Sequence, residues 1–229
     1  MLKLYIANKN YSSWSMRPWV MLRQAGIDFE EVMVPFGENT FTAGSSFKQA
    51  VLAISPGGRV PVLVDDGFAI WDTLAIAEYA AEKFPGKQLW PQDVKARARA
   101  RSLCAEMHAG FGALRSACPM NIEADLSQTG AIVWRDQAAV RGDVARIVAM
   151  WTELLEQHKG PMLFGEFSIV DAYFAPVCMR LKTYALPVPE AITGYINRVC
   201  ALPAVKQWMT DALAEKDFVI ADEPYRAAR

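Results

Sequence analysis

Three short segments of this sequence combine residue types suited to holding a small polar ligand. The first is Asn10-Tyr11-Ser12-Ser13-Trp14-Ser15-Met16-Arg17-Pro18-Trp19. Proline fits the first turn of a helix but not its interior, so Pro18 predicts a helix start near Ser15–Arg17. Ser12 and Ser13 then stand just upstream of exposed backbone N–H groups, where the helix dipole stabilises an anion by about 0.3–1 kcal/mol. Simple helix capping by these hydroxyls is the alternative. The second segment is Pro56-Gly57-Gly58-Arg59-Val60-Pro61-Val62-Leu63. Proline at the mouth of an apolar strand removes a ladder donor and belongs at the strand's first residue or edge. A cis Val60-Pro61 bond would turn the Val60 backbone outward, free to pair with a peptide-like ligand; an ordinary loop proline is the alternative. The third segment, Trp71-Asp72-Thr73-Leu74-Ala75-Ile76, opens a helix with Asp72 as its N-cap. An Asp-Thr pair there can also hold both ends of an amino acid. The carboxylate faces the N–H groups and the Thr73 hydroxyl, and Asp72 attracts the ammonium.

Other chemistries find little to build on. His108 and His158 lie 50 residues apart, and Cys104, Cys118, Cys178 and Cys200 are spaced 14, 60 and 22 apart. No metal-helix, zinc-knuckle or C-x-x-C spacing arises, so no metal is expected and the cysteines read as core thiols of a reducing compartment. A histidine paired with a distant serine stays open. The 24 Lys+Arg nearly balance 25 Asp+Glu, for a net charge of −1, which argues against a nucleic-acid binder. The run Lys95, Arg97, Arg99, Arg101 reads as solvated surface or a subunit contact, since alternate residues wrap around a helix. The longest apolar stretch, Ala172–Met179, is eight residues, whereas a membrane span needs about 20. Leu4–Ala7 is too short for a secretory leader. A cytoplasmic protein with no membrane partner is expected.

These segments must be positioned by a chain of 229 residues, long enough to bury roughly 70–75% of its unfolded surface without a staple. Before residue 85, strand-like and helical runs alternate: strand Lys3–Ala7, helix Met16–Ala25, strand Phe29–Val34, helix Ser45–Ile54, a hairpin of Pro61–Val64 and Phe68–Trp71, and helix Thr73–Phe84. The order is β-α-β, then α-β-β-α. Residues 85–93 carry two prolines and a glycine and read as a linker. Beyond it the patterns are helical: Val94–Cys118, Gly142–Gln157, Ser168–Thr183 and Val205–Leu213. The expected architecture is therefore an α/β thioredoxin-like N-terminal domain (1–84) followed by an all-α C-terminal domain (94–229).

Taken together, these motifs resemble the glutathione transferase superfamily over essentially the whole chain. The Ser-Ser-x-Ser-x-Arg run is most similar to the zeta-class pattern, where Ser12 matches the catalytic serine. Ser13, four residues before Arg17, matches the shorter spacing of theta-like enzymes. Val60-Pro61 resembles the signature that binds the cysteinyl backbone of glutathione, and Asp72-Thr73 the pair that grips its γ-glutamyl end. Lys48 and Arg59 are candidates for its glycyl carboxylate. Gly165–Ala172 resembles the family's buried capping motif, in which Ser168 caps Asp171 and Asp171 reaches back. The sequence also departs from the zeta pattern. Trp14 replaces its cysteine, Asp-Thr the commoner acidic or Gln-Ser pair, and Pro18-Trp19 its second arginine region. The resemblance thus implies glutathione binding without implying maleylacetoacetate isomerisation.

The implied chemistry is thiol activation. A free thiol titrates near 8.5, and lowering it by two units needs about 2.7 kcal/mol of preferential thiolate stabilisation. A hydroxyl donor plus the helix end supplies that scale. Ser12 would be a hydrogen-bond donor to the sulfur, and glutathione a co-substrate. The thiolate would attack a small electrophile in a pocket for which Trp14, Met107, Phe111 and Arg115 are candidates, with core packing their alternative. A homodimer is implied by the resemblance. Isomerisation, peroxide reduction and a non-catalytic binding role on the same scaffold are the rival readings.

Overall fold

The computed structural model describes residues 1–37, 39–40 and 42–229. Strands β1 (Leu2–Ile6), β2 (Glu30–Met33), β3 (Val62–Asp65) and β4 (Phe68–Trp71) form one sheet in the order β2-β1-β3-β4. β1 runs parallel to β2 and antiparallel to β3, with Leu4 opposite Glu31 and Leu63, and Asp66-Gly67 closes the β3–β4 hairpin. Alternate residues Leu2, Leu4 and Ile6 of β1 are buried, as the period of two demands. Helices α1 (Ser13–Gln24) and α3 (Thr73–Lys83) pack together. A small separate cluster joins Ala7 and Val62 to Phe47 and Val51 of α2 (Ser46–Leu52).

The helical half comprises α4 (Val94–Ala109), α5 (Gly112–Ala117), α6 (Ser127–Asp136), α7 (Ala138–His158), α8 (Ile169–Thr183), α9 (Glu190–Ala201) and α10 (Pro203–Glu215). α8 is buried from Ile169 through Leu181, which suits a helix apolar on every side. It packs against α1, and one continuous core runs from Leu4 and Trp19 to Trp151 and Phe174. The reciprocal Ser168–Asp171 box starts α8 as expected. Asp171 accepts from the N–H groups of Ser168 (2.9 Å) and Leu163 (3.1 Å) and from the Tyr195 hydroxyl (2.9 Å). The 85–93 segment is pinned rather than loose. It opens with a 3-10 turn, buries Leu89 and Trp90, and the Leu89 carbonyl accepts from Ile169 N–H (3.0 Å).

Three sequence expectations need correction. α1 starts at Ser13, two residues before the expected start, so Pro18 lies inside the helix. The expected single helix Val94–Cys118 is two. Gly110 and Gly112 flank Phe111, whose φ of 55° no α-helix tolerates, and the chain turns there. Helices α6 and α9 escaped the periodicity reading because Gly130 and Gly194 interrupt their patterns. Gly130 is required: a Cβ there would meet the Tyr184 carbonyl oxygen at 1.7 Å. The basic run, finally, is largely occupied. Arg101 bonds both oxygens of Glu78 (2.7 and 2.8 Å), Arg99 pairs with Glu153 (3.3 Å), and Arg97 donates to the Gln92 carbonyl (2.9 Å).

Candidate functional site

A cavity of about 740 Å³ opens between the two halves. Ser12, Ser13 and Trp14 at the start of α1 line it. Lys48, Arg59 and Val60 form the wall on the sheet side, and Arg115, Met120 and Arg180 the wall on the helical side. The loop before α1 is held across this junction. The Asn10 carboxamide oxygen accepts from Ile122 and Glu123 N–H (2.8 and 2.9 Å), and the Tyr11 hydroxyl donates to Glu223 (2.7 Å).

Ser12 occupies the N-cap of α1, yet its side chain makes no capping bond. It is 5% exposed and donates instead to Ser15 Oγ at 2.7 Å. Ser15 is fully buried and its oxygen also accepts from Ala7 N–H (3.2 Å). Ser13 has a different partner, accepting from the Arg180 guanidinium at 3.2 Å. The two serines are therefore chemically distinct, and the capping alternative for Ser12 is not the one adopted.

The site is cationic. Arg180 is buried on α8 and held by the carbonyls of Cys118 and Arg115. Burial, with Arg17 and Arg115 nearby, lowers its pKa to about 10. Arg17 is buried as well and lowered to about 10 by desolvation, with Nε and Nη1 unpartnered among the described residues. Its guanidinium stacks over Trp14 (4.2 Å) and Tyr173 (5.0 Å), and Arg115 approaches the same indole at 5.0 Å. Burial also lowers Arg115.

The remaining sequence candidates divide. The Val60-Pro61 bond is cis, Val60 lies on the cavity wall, and Pro61 precedes β3. Lys48 bonds the Gly58 carbonyl (3.0 Å) beside Arg59. Asp72 and Thr73 open α3 away from the main cavity wall, behind Trp14. Asp72 caps Leu74 N–H (2.8 Å) at a strained φ of 76° and reaches His108 Nε2 (3.3 Å), which packs edge-on against Trp14 at 5.0 Å. The Thr73 hydroxyl accepts from Tyr173 (2.7 Å). Trp14 and Arg115 line the cavity. Met107 and Phe111 do not: both are buried in the common core, Met107 on the α4 face that carries Leu103 and Cys104.

The sequence model of the glutathione S-transferase N-terminal domain matches residues 11–83, and that of the C-terminal domain matches residues 132–211. A maleylacetoacetate isomerase of Pseudomonas aeruginosa is 30% identical over 213 residues, covering 90% of this chain and 94% of its own. The chain belongs to the glutathione S-transferase family. Glutathione S-transferase 1 of Dianthus caryophyllus is 29% identical over 207 residues, covering 90% of this chain and 84% of its own. Among solved structures, a glutathione transferase homolog from Burkholderia with bound glutathione superposes with a TM-score of 0.69. It is 25% identical and covers 93% of this chain and 98% of that one.

Two charged residues of this enzyme's cavity were not among the sequence candidates. Arg180 carried a signal, being a cation inside the apolar run from Ala172 to Leu181. Asp222, in a 3-10 turn of the C-terminal segment, carried none, since nothing local connects it to Ser12. All four cysteines are free, and burial raises their thiols, Cys118 to about 11, so none competes as a nucleophile.

Proposed function

We propose that the cavity takes glutathione, with its sulfur at Ser12, its cysteinyl backbone along Val60 and its γ-glutamyl end toward Asp72-Thr73, and transfers the thiolate to a small electrophile. The observation that carries this is the Ser12 hydroxyl on the cavity wall, backed by the buried Ser15 hydroxyl. The Ser12 hydroxyl donates to Ser15 Oγ, which Ala7 N–H holds in place; when a thiolate enters, the Ser15 proton turns to Ser12 Oγ and the Ser12 proton swings to the sulfur. The guanidinium of Arg180, whose partners among the described residues are neutral oxygens, favours the anionic form of whatever enters. Lys48 and Arg59 supply cations for the glycyl carboxylate.

A second reading is favoured by the same cations. No carboxylate among the described residues bonds Arg115 or Arg180, so an acceptor bearing carboxylates finds partners there. Glutathione-dependent isomerisation of a maleyl compound fits that wall, and a relative is named for it. In either reading the protein works as a cytoplasmic homodimer in detoxification or acid turnover. The deciding experiment is a glutathione-dependent activity screen against aryl halides, hydroperoxides and maleyl compounds. Turnover of an aryl halide supports transfer, and isomerisation of a maleyl acid without net glutathione consumption supports the second reading. Glutathione binding with no turnover in the panel would leave a binding protein.

A further inference from the structure

The C-terminal segment places a carboxylate in the cavity that the thiol chemistry described so far does not use. Asp222 lies on the cavity wall with Ser12, Ser13 and Arg180. Its Oδ2 is buried and has no hydrogen-bond partner among the described residues. A buried carboxylate oxygen without a donor is costly unless it carries a proton or meets a donor on a ligand.

The segment around it is firmly held. Next to it, Glu223 accepts from the Tyr11 hydroxyl (2.7 Å), the Asn121 amide (2.8 Å) and Arg226 (2.8 Å). The Tyr225 hydroxyl donates to the Ala117 carbonyl (2.7 Å). These bonds tie the segment to the loop that carries Ser12 and to α5, so Asp222 is held on the wall of the cavity that Ser12 also lines. Its neighbour Glu223 spends both oxygens on these anchors and is held below the usual carboxylate range, because the bonds from Arg226, Tyr11 and Asn121 outweigh its desolvation. Asp222 has no such bonds. Burial and the Glu223 charge push it up to about 6, against the opposing pull of Arg180. Tyr11, Lys48, Arg59 and Arg115 are the other ionisable groups on this cavity.

We propose that Asp222 is a catalytic residue, the general acid that protonates an α,β-unsaturated carbonyl acceptor as the Ser12-bound thiolate adds to it. The sulfur forms a bond to the β-carbon, and the π pair of the alkene moves onto the α-carbon and carbonyl oxygen. That enolate takes the proton from the Asp222 carboxyl. The carboxylate is recharged by solvent with the proton that the thiol released, so the net reaction is addition of S–H across the double bond, with nothing oxidised or reduced. Displacement of halide from an aryl ring needs no such proton, because the leaving group departs with its electrons. The assignment rests on the thiol-transfer reading and adds to it a proton donor for acceptors that need one.

The test compares kcat/KM for glutathione with an enone and with an aryl halide, in the wild type and in Asp222→Asn, across pH. General acid catalysis contributes about 100-fold or more, so the enone-to-aryl-halide ratio should fall by about that factor in the variant. The wild-type enone profile should decline above about pH 6 relative to the aryl-halide profile, and this relative decline should vanish in the variant. The wild-type comparison needs no substitution and stands even if the variant folds poorly. An unchanged ratio, no relative alkaline decline, or a wild type that turns over aryl halide but no enone would overturn the role of Asp222. A wild type inactive with both electrophiles would overturn the thiol-transfer reading itself.

Discussion

Replacing Ser12 by alanine removes one hydroxyl whose partners are known, so its effect has a magnitude. Ser12 Oγ lies 2.7 Å from Ser15 Oγ, which is itself fixed by Ala7 N–H at 3.2 Å. The hydroxyl oxygen is therefore fixed before the thiol arrives, and only its proton has to swing from Ser15 to the sulfur. A hydrogen bond to a charged acceptor is worth about 1.5–3 kcal/mol, and at 1.36 kcal/mol per unit that is about 1–2 units of thiol pKa. Ser12→Ala should raise the bound thiol by that amount and cut turnover below its pKa by about 10–100-fold. Ser13→Ala should cost much less, because that hydroxyl serves Arg180 at 3.2 Å. Glutathione affinity should persist in both variants. The assay is thiolate ultraviolet absorbance of each glutathione complex against pH. An unshifted titration in Ser12→Ala with a shifted one in Ser13→Ala would refute the assignment, and no shift in either would transfer the role to backbone N–H groups.

Three further outcomes are expected. Asp72→Asn keeps the oxygen that caps Leu74 N–H (2.8 Å) but removes the charge facing the glutathione ammonium; calorimetry should show weaker glutathione binding while the melting temperature moves little. Asp171→Ala leaves the N–H groups of Leu163 and Ser168 and the Tyr195 hydroxyl without their buried acceptor, at about 1–3 kcal/mol each; thermal unfolding should show most of a typical stability margin gone. Asp222 is raised from 3.8 to about 6, so the native state holds its proton more tightly than the unfolded chain, and wild-type stability falls as pH rises through that interval. The loss is at most about 3 kcal/mol, and Asp222→Asn should abolish it, narrowing the gap in melting temperature between pH 4.5 and 7.5; an unchanged gap would contradict the burial argument.

How far the sequence reached depended on how local each signal was. The four strands, the hairpin at Asp66-Gly67 and the Ser168–Asp171 box were legible because each rests on residues within a few positions of one another. Pro18 misled, since tertiary packing of α1 against α8 outweighs the local cost of a proline inside the helix. The break at Gly110–Gly112 was hidden because the apolar stripe continues through it. Met107 and Phe111 have the right chemistry for a pocket, and only three-dimensional packing shows that the core claims them. Ser12, Val60 and Arg115, each singled out from a local motif or helix face, lie on one cavity, but that cavity is completed by Arg180 and Asp222, which lie 167 and more residues beyond Ser13.

The central claim, that this cavity binds glutathione and lowers the pKa of its thiol, is tested most directly by titrating the thiol of glutathione bound to the wild-type protein. Thiolate absorbance should rise with a midpoint at least one unit below that of free glutathione measured in the same buffer. A bound thiol that titrates with free glutathione, or a protein that binds no glutathione at all, would contradict it.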